Sequence, residues 1–457
     1  MKLFLWCVTV VALSAAAGGA KIPADIRDAP QGSQCGPPEY CARTDRRVEP
    51  YPEKPPAIGP SGSIISDPTF GSRILRVTDG RSDPTQTGRP VVTPSSAEQN
   101  SWNKDSTMFY VSTSGGSFLL YDFDPPTMKL RPARKPNLNW GGEPQFSYTQ
   151  ANILYGLSHR DFEQYDASSG RLTEINDPSK CVKLGSGDTG SSVTVSGDDN
   201  RFMETLGPQQ DEYYMVYVYD RTQGCRWLNT QSGEIGGQWG PKGTISVADR
   251  FLLHNARMSK SGKFVDLRRG HNFVGRGWAV WEVDSLNVSV CPKACGGHHA
   301  LGYSHILSTS GMTHPLDVWL RPLNHLEDSI PIISGLEPDK GPWFDSHFSW
   351  NSVDLNDSAP VCFSTYQINP DTPGAAPLVA GPWENEIDCA ETDGKTSKVW
   401  RFAHTYSTAR NGFWSSPRGN VSQDGRFFMF TSDWEDQLGK TPNGDTYRTD
   451  VFIVELK

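Results

Sequence analysis

Residues 420–434 read NVSQDGRFFMFTSDW, and this short stretch decides the fold. A Ser-x-Asp-Gly turn is followed at once by aromatic and β-branched residues, a pattern that predicts a tight turn leading into a buried strand. Earlier in the chain, ARMSKSGKFVDLRR (256–269) has the same order of turn and strand. Recurrence of one supersecondary unit predicts an architecture built from repeats.

The same unit of polar turn and strand recurs along most of the chain. Four further stretches carry it: NSWNKDSTMFYVSTS (100–114), FSYTQANILYGLS (146–158), SVTVSGDDNRFMETLG (192–207) and HFSWNSVDLNDSAPVCFST (347–365). The widest gap between units is filled by HALGYSHILSTS followed by LDVWLRPL, within residues 299–323. Seven units then share residues 73–457 at about 55 residues each, the length of a four-stranded propeller blade.

The sequence therefore predicts an all-β fold, a seven-bladed β-propeller of four-stranded antiparallel blades, over residues 73–457. ILRVTD (74–79) precedes the first full unit, and we expect it to join the last blade and close the ring. A two-domain β-sandwich protein is the alternative. Residues 21–72, rich in Pro, Gly and charge, are predicted to form an extended N-terminal segment.

The composition favours this class of fold and excludes others. The 457 residues include 44 Gly and 34 Pro, which are poor helix formers, so a helical bundle is excluded. Hydrophobic residues make up 36% and aromatic residues 11%, enough to build a core rather than a disordered chain. A net charge of −9 without a basic tract argues against a nucleic-acid binder.

The first 20 residues are typical of a secretory signal peptide. Lys2 supplies the positive start, residues 3–17 form an apolar run, and Gly18 and Ala20 are small residues at a cleavage site. An uncleaved anchor is the alternative. No later segment reaches the ~18 apolar residues of a membrane span, so we expect a secreted or periplasmic monomer that leaves the membrane after cleavage.

The cysteines predict disulfide bonds. Cys7 lies in the predicted signal peptide and eight of the nine cysteines remain, an even number in an exported chain. Pairing between sequence neighbours is the simplest arrangement, giving Cys35–Cys41, Cys181–Cys225, Cys291–Cys295 and Cys362–Cys389. Cys291 and Cys295 are alternatively half of a zinc site, although no second pair of ligands has the matching spacing.

Candidate functional residues follow from propeller geometry. Residues just before the innermost strand of each blade surround one mouth of the central channel, where ligands bind. The residues at these positions are Glu98, Gln99, Asn100, Glu143, Gln145, Asp188, His254, Arg257, His298, His299, His347, Arg410, Trp414 and Arg418, with His404 and Tyr406 on a connecting loop. The chain has only ten histidines, and five of them fall in this set.

Histidines and arginines at one mouth predict two kinds of chemistry. Neutral imidazoles bind a divalent metal (Ca, Mn or Zn) or transfer protons. Arg257 and Arg418 suit a carboxylate, and Asn100, Gln145 and Trp414 complete the predicted substrate-binding set. The alternative for each single histidine is a hydrogen-bonded structural role.

NVSQDGRFFMFTSDW and RMSKSGKFV resemble the Ser-x-Asp-Gly repeats of the Tol-system periplasmic propeller and its secreted relatives. The His-rich, Arg-flanked mouth is similar to that of the seven-bladed propeller polysaccharide lyases, which act on oligogalacturonate, ulvan or rhamnose–glucuronate glycans. The resemblance implies β-elimination of a uronic-acid-containing polysaccharide or oligosaccharide. It also implies His254, His299 and His347 as metal ligands, and His254, His347, His404 and Tyr406 as catalytic groups. The Gln-x-x-His-x-His metal motif of the oligogalacturonate lyases is absent, and HHALGYSH (298–305) stands in the chain instead.

Two other classes of function fit the same sequence. A non-catalytic exported propeller would bind a glycan or a protein partner, as the Tol-type propellers do. A glycoside hydrolase would need two carboxylates at the mouth, for which Glu98, Glu143 and Asp188 are the candidates.

Overall fold

The computed structural model describes residues 35–50, 52, 54–83, 90–113, 116–140, 143–245, 250–270, 278–292, 296–309, 318–333, 345–366, 381–395, 398–409, 412–441, 444 and 447–457. Its strands form seven antiparallel sheets, and these are the blades of a seven-bladed β-propeller. The predicted fold class is confirmed. The predicted signal peptide, residues 1–20, lies outside the described residues.

Two strands precede blade one, namely β1 (Ile64–Ser66) and β2 (Arg73–Arg76). Blades one and two contain β3 (Val91–Val92), β4 (Met108–Thr113), β5 (Phe118–Asp124), β6 (Lys129–Leu130), β7 (Gln145–Phe146), β8 (Ile153–Ser158), β9 (Asp161–Asp166) and β10 (Arg171–Asn176). Blade three has six strands, β11 (Thr189–Val195), β12 (Arg201–Gly207), β13 (Met215–Asp220), β14 (Gly224–Asn229), β15 (Glu234–Gly237) and β16 (Gly243–Thr244).

Blades four to six return to four strands each. They contain β17 (Leu253–Met258), β18 (Phe264–Arg269), β19 (Trp278–Glu282), β20 (Val288–Val290), β21 (Gly296–Leu301), β22 (His305–Thr309), β23 (Val318–Pro322), β24 (Ile330–Ile333), β25 (Asp345–Ser349), β26 (Val361–Tyr366), β27 (Glu386–Ala390) and β28 (Val399–His404). Blade seven contains β29 (Gly419–Val421), β30 (Phe427–Ser432) and β31 (Asp450–Glu455), followed by β2 and β1. Short 3-10 helices span Pro178–Lys180 and Gly412–Trp414.

The ring is closed by pairing the two ends of the propeller. β2 lies antiparallel to β31, with Ile74 opposite Val454 and Leu75 opposite Ile453. The guanidinium of Arg73 adds a bond across this seam, because its Nε lies 2.7 Å from Glu455 Oε2. The expected role of ILRVTD is therefore confirmed. β1 extends the same sheet into the residues predicted as the N-terminal segment.

Aromatic side chains fill the space between neighbouring blades. Between blades seven and one, the buried Trp102 stacks on Phe427 with ring centroids 6.1 Å apart. Phe123 meets the same Phe427 edge-on at 5.0 Å. The abundance of aromatic residues in the sequence thus reflects packing between sheets, where large rings bury the most apolar area.

Three disulfides occur among the described residues. The predicted pairs Cys35–Cys41, Cys181–Cys225 and Cys362–Cys389 are present. The fourth predicted pair involves Cys295, which lies outside the described residues. Within the described part of the chain, no helix has the length and apolar character needed to cross a bilayer.

Candidate active site

The innermost strands are linked to one another by side chains, two of which stand at predicted mouth positions. Gln99 Nε2 donates to the carbonyl of Pro144 at 2.8 Å, and Asn420 Nδ2 donates to the carbonyl of Gln99 at 2.9 Å. Asn100 Nδ2 donates to the carbonyl of Phe146 at 3.0 Å. The predicted substrate-binding residue Asn100 is therefore buried and bonded to a neighbouring blade. These bonds fix blades one, two and seven relative to one another.

Arg418 is a buried cation at the start of blade seven. Its Cζ lies 3.9 Å from the ring centroid of Phe413 and 5.2 Å from that of Trp414. Nη1 donates to Ser416 Oγ at 3.2 Å, whereas Nε and Nη2 have no hydrogen-bond partner among the described residues. Burial lowers the pKa of Arg418 to about 10, against the opposing charge of Glu143. The guanidinium therefore keeps hydrogen-bonding capacity for an anion.

Glu143 stands just before β7 and is influenced by both predicted arginines. It accepts hydrogen bonds from the backbone N–H of Ser95 and from Ser95 Oγ, the latter at 3.0 Å. Burial raises the pKa of Glu143, and the Ser95 hydrogen bonds and the charges of Arg257 and Arg418 oppose this shift. When Glu143 is protonated, no negative charge remains there to compete with an external carboxylate for Arg418.

Three aromatic or imidazole rings from blades five and six meet beside Arg418. The ring of His347 lies 3.9 Å from that of His298 and is stacked on it with an interplanar angle of 27°. Tyr366 stacks on His347 at 5.5 Å, and Phe413 meets His347 edge-on at 6.3 Å. Phe413 thus joins this group to Arg418. The structure brings the predicted residues His347 and Arg418 into one cluster.

The protonation of His298 is set by its neighbour. Its Nδ1 lies 2.8 Å from the carbonyl oxygen of Ser346. A carbonyl oxygen can only accept, so Nδ1 carries the proton, and in the neutral ring Nε2 holds a lone pair. His298 therefore has the tautomer of a base that acts through Nε2.

Arg257 and His299 belong to a buried ionic network deeper among the innermost strands. Arg257 Nη1 donates to Gln99 Oε1 at 2.5 Å. Opposite it, Asp266 Oδ2 lies 3.0 Å from His299 Nδ1 and 2.8 Å from Arg268 Nε. Burial favours a raised pKa for Asp266, but the charges and hydrogen bonds of Arg268 and His299 lower it. Burial lowers the pKa of His299, which favours the neutral imidazole.

A small cavity lies within this network. It has a volume of about 20 Å³ and is lined by residues that include Glu98, Gln145, Arg257 and Lys260. This volume suits about one water molecule and no sugar. Burial lowers the pKa of Lys260 to about 8. The predicted substrate-binding residue Gln145 therefore faces an enclosed space.

His254 has a separate partner from the other histidines. It lies at the start of blade four, and its Nδ1 is 2.7 Å from Asp211 Oδ1. Asp211 lies between β12 and β13 of blade three. Both side chains are about one-third exposed, so this His–Asp pair is accessible to solvent.

His404 and Tyr406 lie toward the outside of the ring. β28, which ends at His404, is the last strand of its sheet, and Asp67 follows β1, the outer strand of blade seven. Asp67 Oδ2 accepts hydrogen bonds from the His404 backbone N–H at 2.9 Å and from the Tyr406 hydroxyl at 2.9 Å. The Tyr406 ring packs 4.6 Å from Trp434. These contacts join blade six to blade seven.

The predicted metal ligands do not form a metal-binding group in the described part of the chain. His254 pairs with Asp211, His299 pairs with Asp266, and His347 stacks on other rings. No cluster of three or more His, Cys, Asp or Glu side chains suited to a metal ion occurs there. The residues described do not fit a histidine metal centre, and no step below is derived through a metal.

The remaining predicted residues have various surroundings. Asp188 Oδ2 accepts from the backbone N–H of Gly185 at 2.7 Å, as expected of a turn residue. Glu98 Oε2 is paired with Arg268 at 2.6 Å. Trp414 is 56% exposed beside Phe413, which is 48% exposed. Arg410 lies outside the described residues.

Sequence reasoning missed Tyr366, Phe413 and the acidic partners of the histidines. Tyr366 ends the second strand of blade six and lies opposite Asp345, the first residue of the innermost strand. Ends of second strands reach the same mouth as starts of first strands, because the two are antiparallel. The rule that picked residues before innermost strands would have found Tyr366 if extended to that position.

Comparison with known proteins adds information on the fold. No family model and no curated protein matches the chain. Among solved structures, an oligogalacturonate lyase in complex with manganese is similar, with a TM-score of 0.52 and 10% identity over 88% of this chain and 98% of that chain. An oligogalacturonate lyase from Vibrio parahaemolyticus has a TM-score of 0.51 and 11% identity, again over 88% of this chain and 98% of that chain. At these identities the similarity shows a shared propeller fold.

Proposed function

We propose that this chain is an exported polysaccharide lyase that cleaves a uronic-acid-containing glycan by β-elimination at the mouth formed by blades five to seven. The observation that carries the proposal is Arg418, a buried guanidinium with unused N–H groups beside His298, His347 and Tyr366. The two similar solved structures named as oligogalacturonate lyases support a carbohydrate substrate. The three disulfides fit an oxidising compartment, in keeping with a secreted or periplasmic protein.

Elimination from a uronate requires a neutralised carboxylate, a base and an acid. Arg418 pairs with the carboxylate through Nε and Nη2, which makes the neighbouring C5–H more acidic. The His298–His347 pair takes that proton, with Nε2 of His298 as the base. The C5–H electrons form the C4=C5 bond, the C4–O bond breaks, and the Tyr366 hydroxyl protonates the leaving oxygen.

Access to Arg418 requires a local movement. Phe413 covers the guanidinium, and Phe413 and Trp414 are both exposed on the short 3-10 helix Gly412–Trp414. A uronate therefore reaches Arg418 as Phe413 moves aside, and the two aromatic rings then flank the sugar. Arg257 lies deeper and donates a hydrogen bond to Gln99. It does not pair with the substrate carboxylate directly; its positive charge opposes the rise in the pKa of Glu143 and adds to the positive charge of the site.

The proposal is tested by incubating the purified protein with a panel of uronate polymers and their carboxyl-reduced forms. The unsaturated product of elimination absorbs in the far ultraviolet. We expect absorbance to rise with at least one uronate polymer and with none of the reduced forms, because the reduced forms lack the group that acidifies C5–H. No absorbance with any uronate polymer would contradict the lyase assignment. Release of reducing ends without absorbance would indicate a hydrolase, and binding without turnover a non-catalytic propeller.

A further inference from the structure

A surface groove lies on the outer strands of blade three, at the opposite edge of the sheet from its innermost strand. It has a volume of about 510 Å³ and is lined by Lys180, Cys181, Trp227 and residues of the segments 232–238 and 242–244. Most of this lining comes from β15 and β16, the fifth and sixth strands of the blade, and from the turns beside them. These two strands are an addition to the four-stranded repeat.

Glycines beside the indole of Trp227 leave a flat aromatic surface in this groove. Trp227 on β14 lies opposite Gly236 on β15. A Cβ at Gly236 would lie 2.3 Å from Cζ2 of the indole, so the ring can lie across the strand only because residue 236 is glycine. Gly237 has φ +131°, and a Cβ there would lie 2.4 Å from the carbonyl oxygen of Cys225. Trp227 is half-buried, so part of its ring is open to solvent.

Polar groups surround this aromatic surface. Gln238 is held in place because its Oε1 accepts from the backbone N–H of Cys225 at 3.0 Å. The disulfide Cys181–Cys225 fixes one wall of the groove to β14. Lys180 is paired with Glu174 at 3.0 Å, whereas Lys242 and Glu234, which also line the groove, are exposed. A prearranged groove with one aromatic face and a few polar groups has the character of a small-ligand site.

We propose that this groove is a second carbohydrate-binding site, in which a pyranose ring of a polysaccharide chain lies on Trp227. Sugar rings present apolar C–H faces and polar hydroxyl edges, which match an indole face bordered by amide, hydroxyl and ammonium groups. The inference rests on the proposed function in taking the ligand to be a glycan. A polymer held at both sites gains from a high effective concentration at the mouth, whereas a short oligosaccharide cannot reach both.

The experiment measures polymer binding without turnover and then kinetics. Retardation of the Arg418→Ala protein in gels containing each uronate polymer reports binding in the absence of cleavage. We expect Trp227→Ala to abolish most of the retardation and Trp227→Phe to retain it, because Phe keeps a flat ring over Gly236. In the otherwise wild-type enzyme, Trp227→Ala should raise KM for polymer about 5- to 10-fold and leave KM for trisaccharides unchanged.

A second variant controls for the case in which Trp227→Ala impairs folding. Ser232→Arg places a bulky side chain at the exposed rim of the groove, and it should reduce retardation in the same way. Unchanged retardation in both Trp227→Ala and Ser232→Arg, or failure of the parent protein to bind any polymer, would overturn the proposal. Retardation that depends on Trp227 in a protein that cleaves no polymer would support this groove and contradict only the lyase assignment.

Discussion

Glu204 is a carboxylic acid buried within the sheet of blade three. It lies on β12 and is fully buried, and neither carboxyl oxygen has a hydrogen-bond partner within the described chain. Burial, with a smaller contribution from the charge of Asp161, raises the pKa of Glu204 well above its ordinary value. The folded protein therefore holds this side chain as the neutral acid over a wider range of pH than the unfolded chain does.

Replacing Glu204 with Gln should stabilise the protein more as the pH rises. Between the unfolded and folded pKa values, the folded state binds more protons than the unfolded chain, so the wild-type free energy of unfolding falls with pH. Gln keeps the shape and has no charge to lose, so Glu204→Gln should gain about 1–3 kcal/mol at pH 8 relative to pH 4.5. Urea unfolding at several pH values measures this, with the exposed Glu174→Gln as the control. A pH-independent difference would contradict the assignment.

Single site residues were predictable only where the repeat itself sets their position. Arg418 immediately precedes the innermost strand β29 and His347 lies on the innermost strand β25, and the repeat unit locates those strands in the sequence. The partner Asp266 lies 33 residues from His299, so no local pattern connects them. Tyr366 was missed because the rule considered only one of the two strand ends that reach the mouth.

At the scale of elements, the seam between β2 and β31 depends on a buried ionic cluster. Asp450 lies at the start of β31 and is almost fully buried. It accepts from Arg76 Nη2 at 2.5 Å and from Arg448 Nη2 at 2.7 Å. Thr78 Oγ1 also accepts from the backbone N–H of Val451 at 2.9 Å. One carboxylate therefore compensates two arginine charges where the chain ends meet.

Removing this carboxylate should open the seam. Asp450→Ala leaves two buried guanidinium groups without their counter-charge, which should cost about 3–5 kcal/mol of unfolding free energy. The control Asp122→Ala removes a half-exposed carboxylate that is 2.7 Å from Arg134, and it should cost at most about 1 kcal/mol. Chemical denaturation of both variants measures the difference. Equal losses would show that the seam does not depend on Asp450.

The sequence repeat predicted the number of blades correctly, but it did not predict the number of strands in every blade. Turn and strand signals are local, so seven units and the closing strand could be predicted from the sequence alone. β16 has only two residues, which pair with Glu234 and Ile235 of β15, and a strand this short shows no alternation of polar and apolar residues. The extra strands of blade three could not be found by periodicity for this reason.

At the scale of the whole molecule, the ring decides which residues share a site. His298, His347 and Arg418 come from three successive blades, and they are separated by 49 and 71 residues in the chain. They nevertheless form one cluster, because His347 stacks on His298 and Phe413 contacts both His347 and Arg418. Of the predicted residues His404 and Tyr406, the first ends the outer strand β28 and the second follows it, so both lie away from the centre. The order of the blades was predictable from the sequence. How far each side chain lies from the central channel depends on which strands pair in each sheet, and the sequence alone does not reveal that pairing.

The most direct test of the account is the effect of Arg418→Ala on cleavage of whichever uronate polymer the protein accepts. Loss of a preorganised cation that stabilises transition-state charge should lower kcat/KM by ~100-fold or more. Arg426→Ala is the matched control, because Arg426 also belongs to blade seven and lies over a phenylalanine, with Cζ 5.4 Å from the Phe427 ring, but is partly exposed. We predict near-wild-type absorbance change for Arg426→Ala and almost none for Arg418→Ala. Equal activity of the two folded variants would contradict the central role of Arg418.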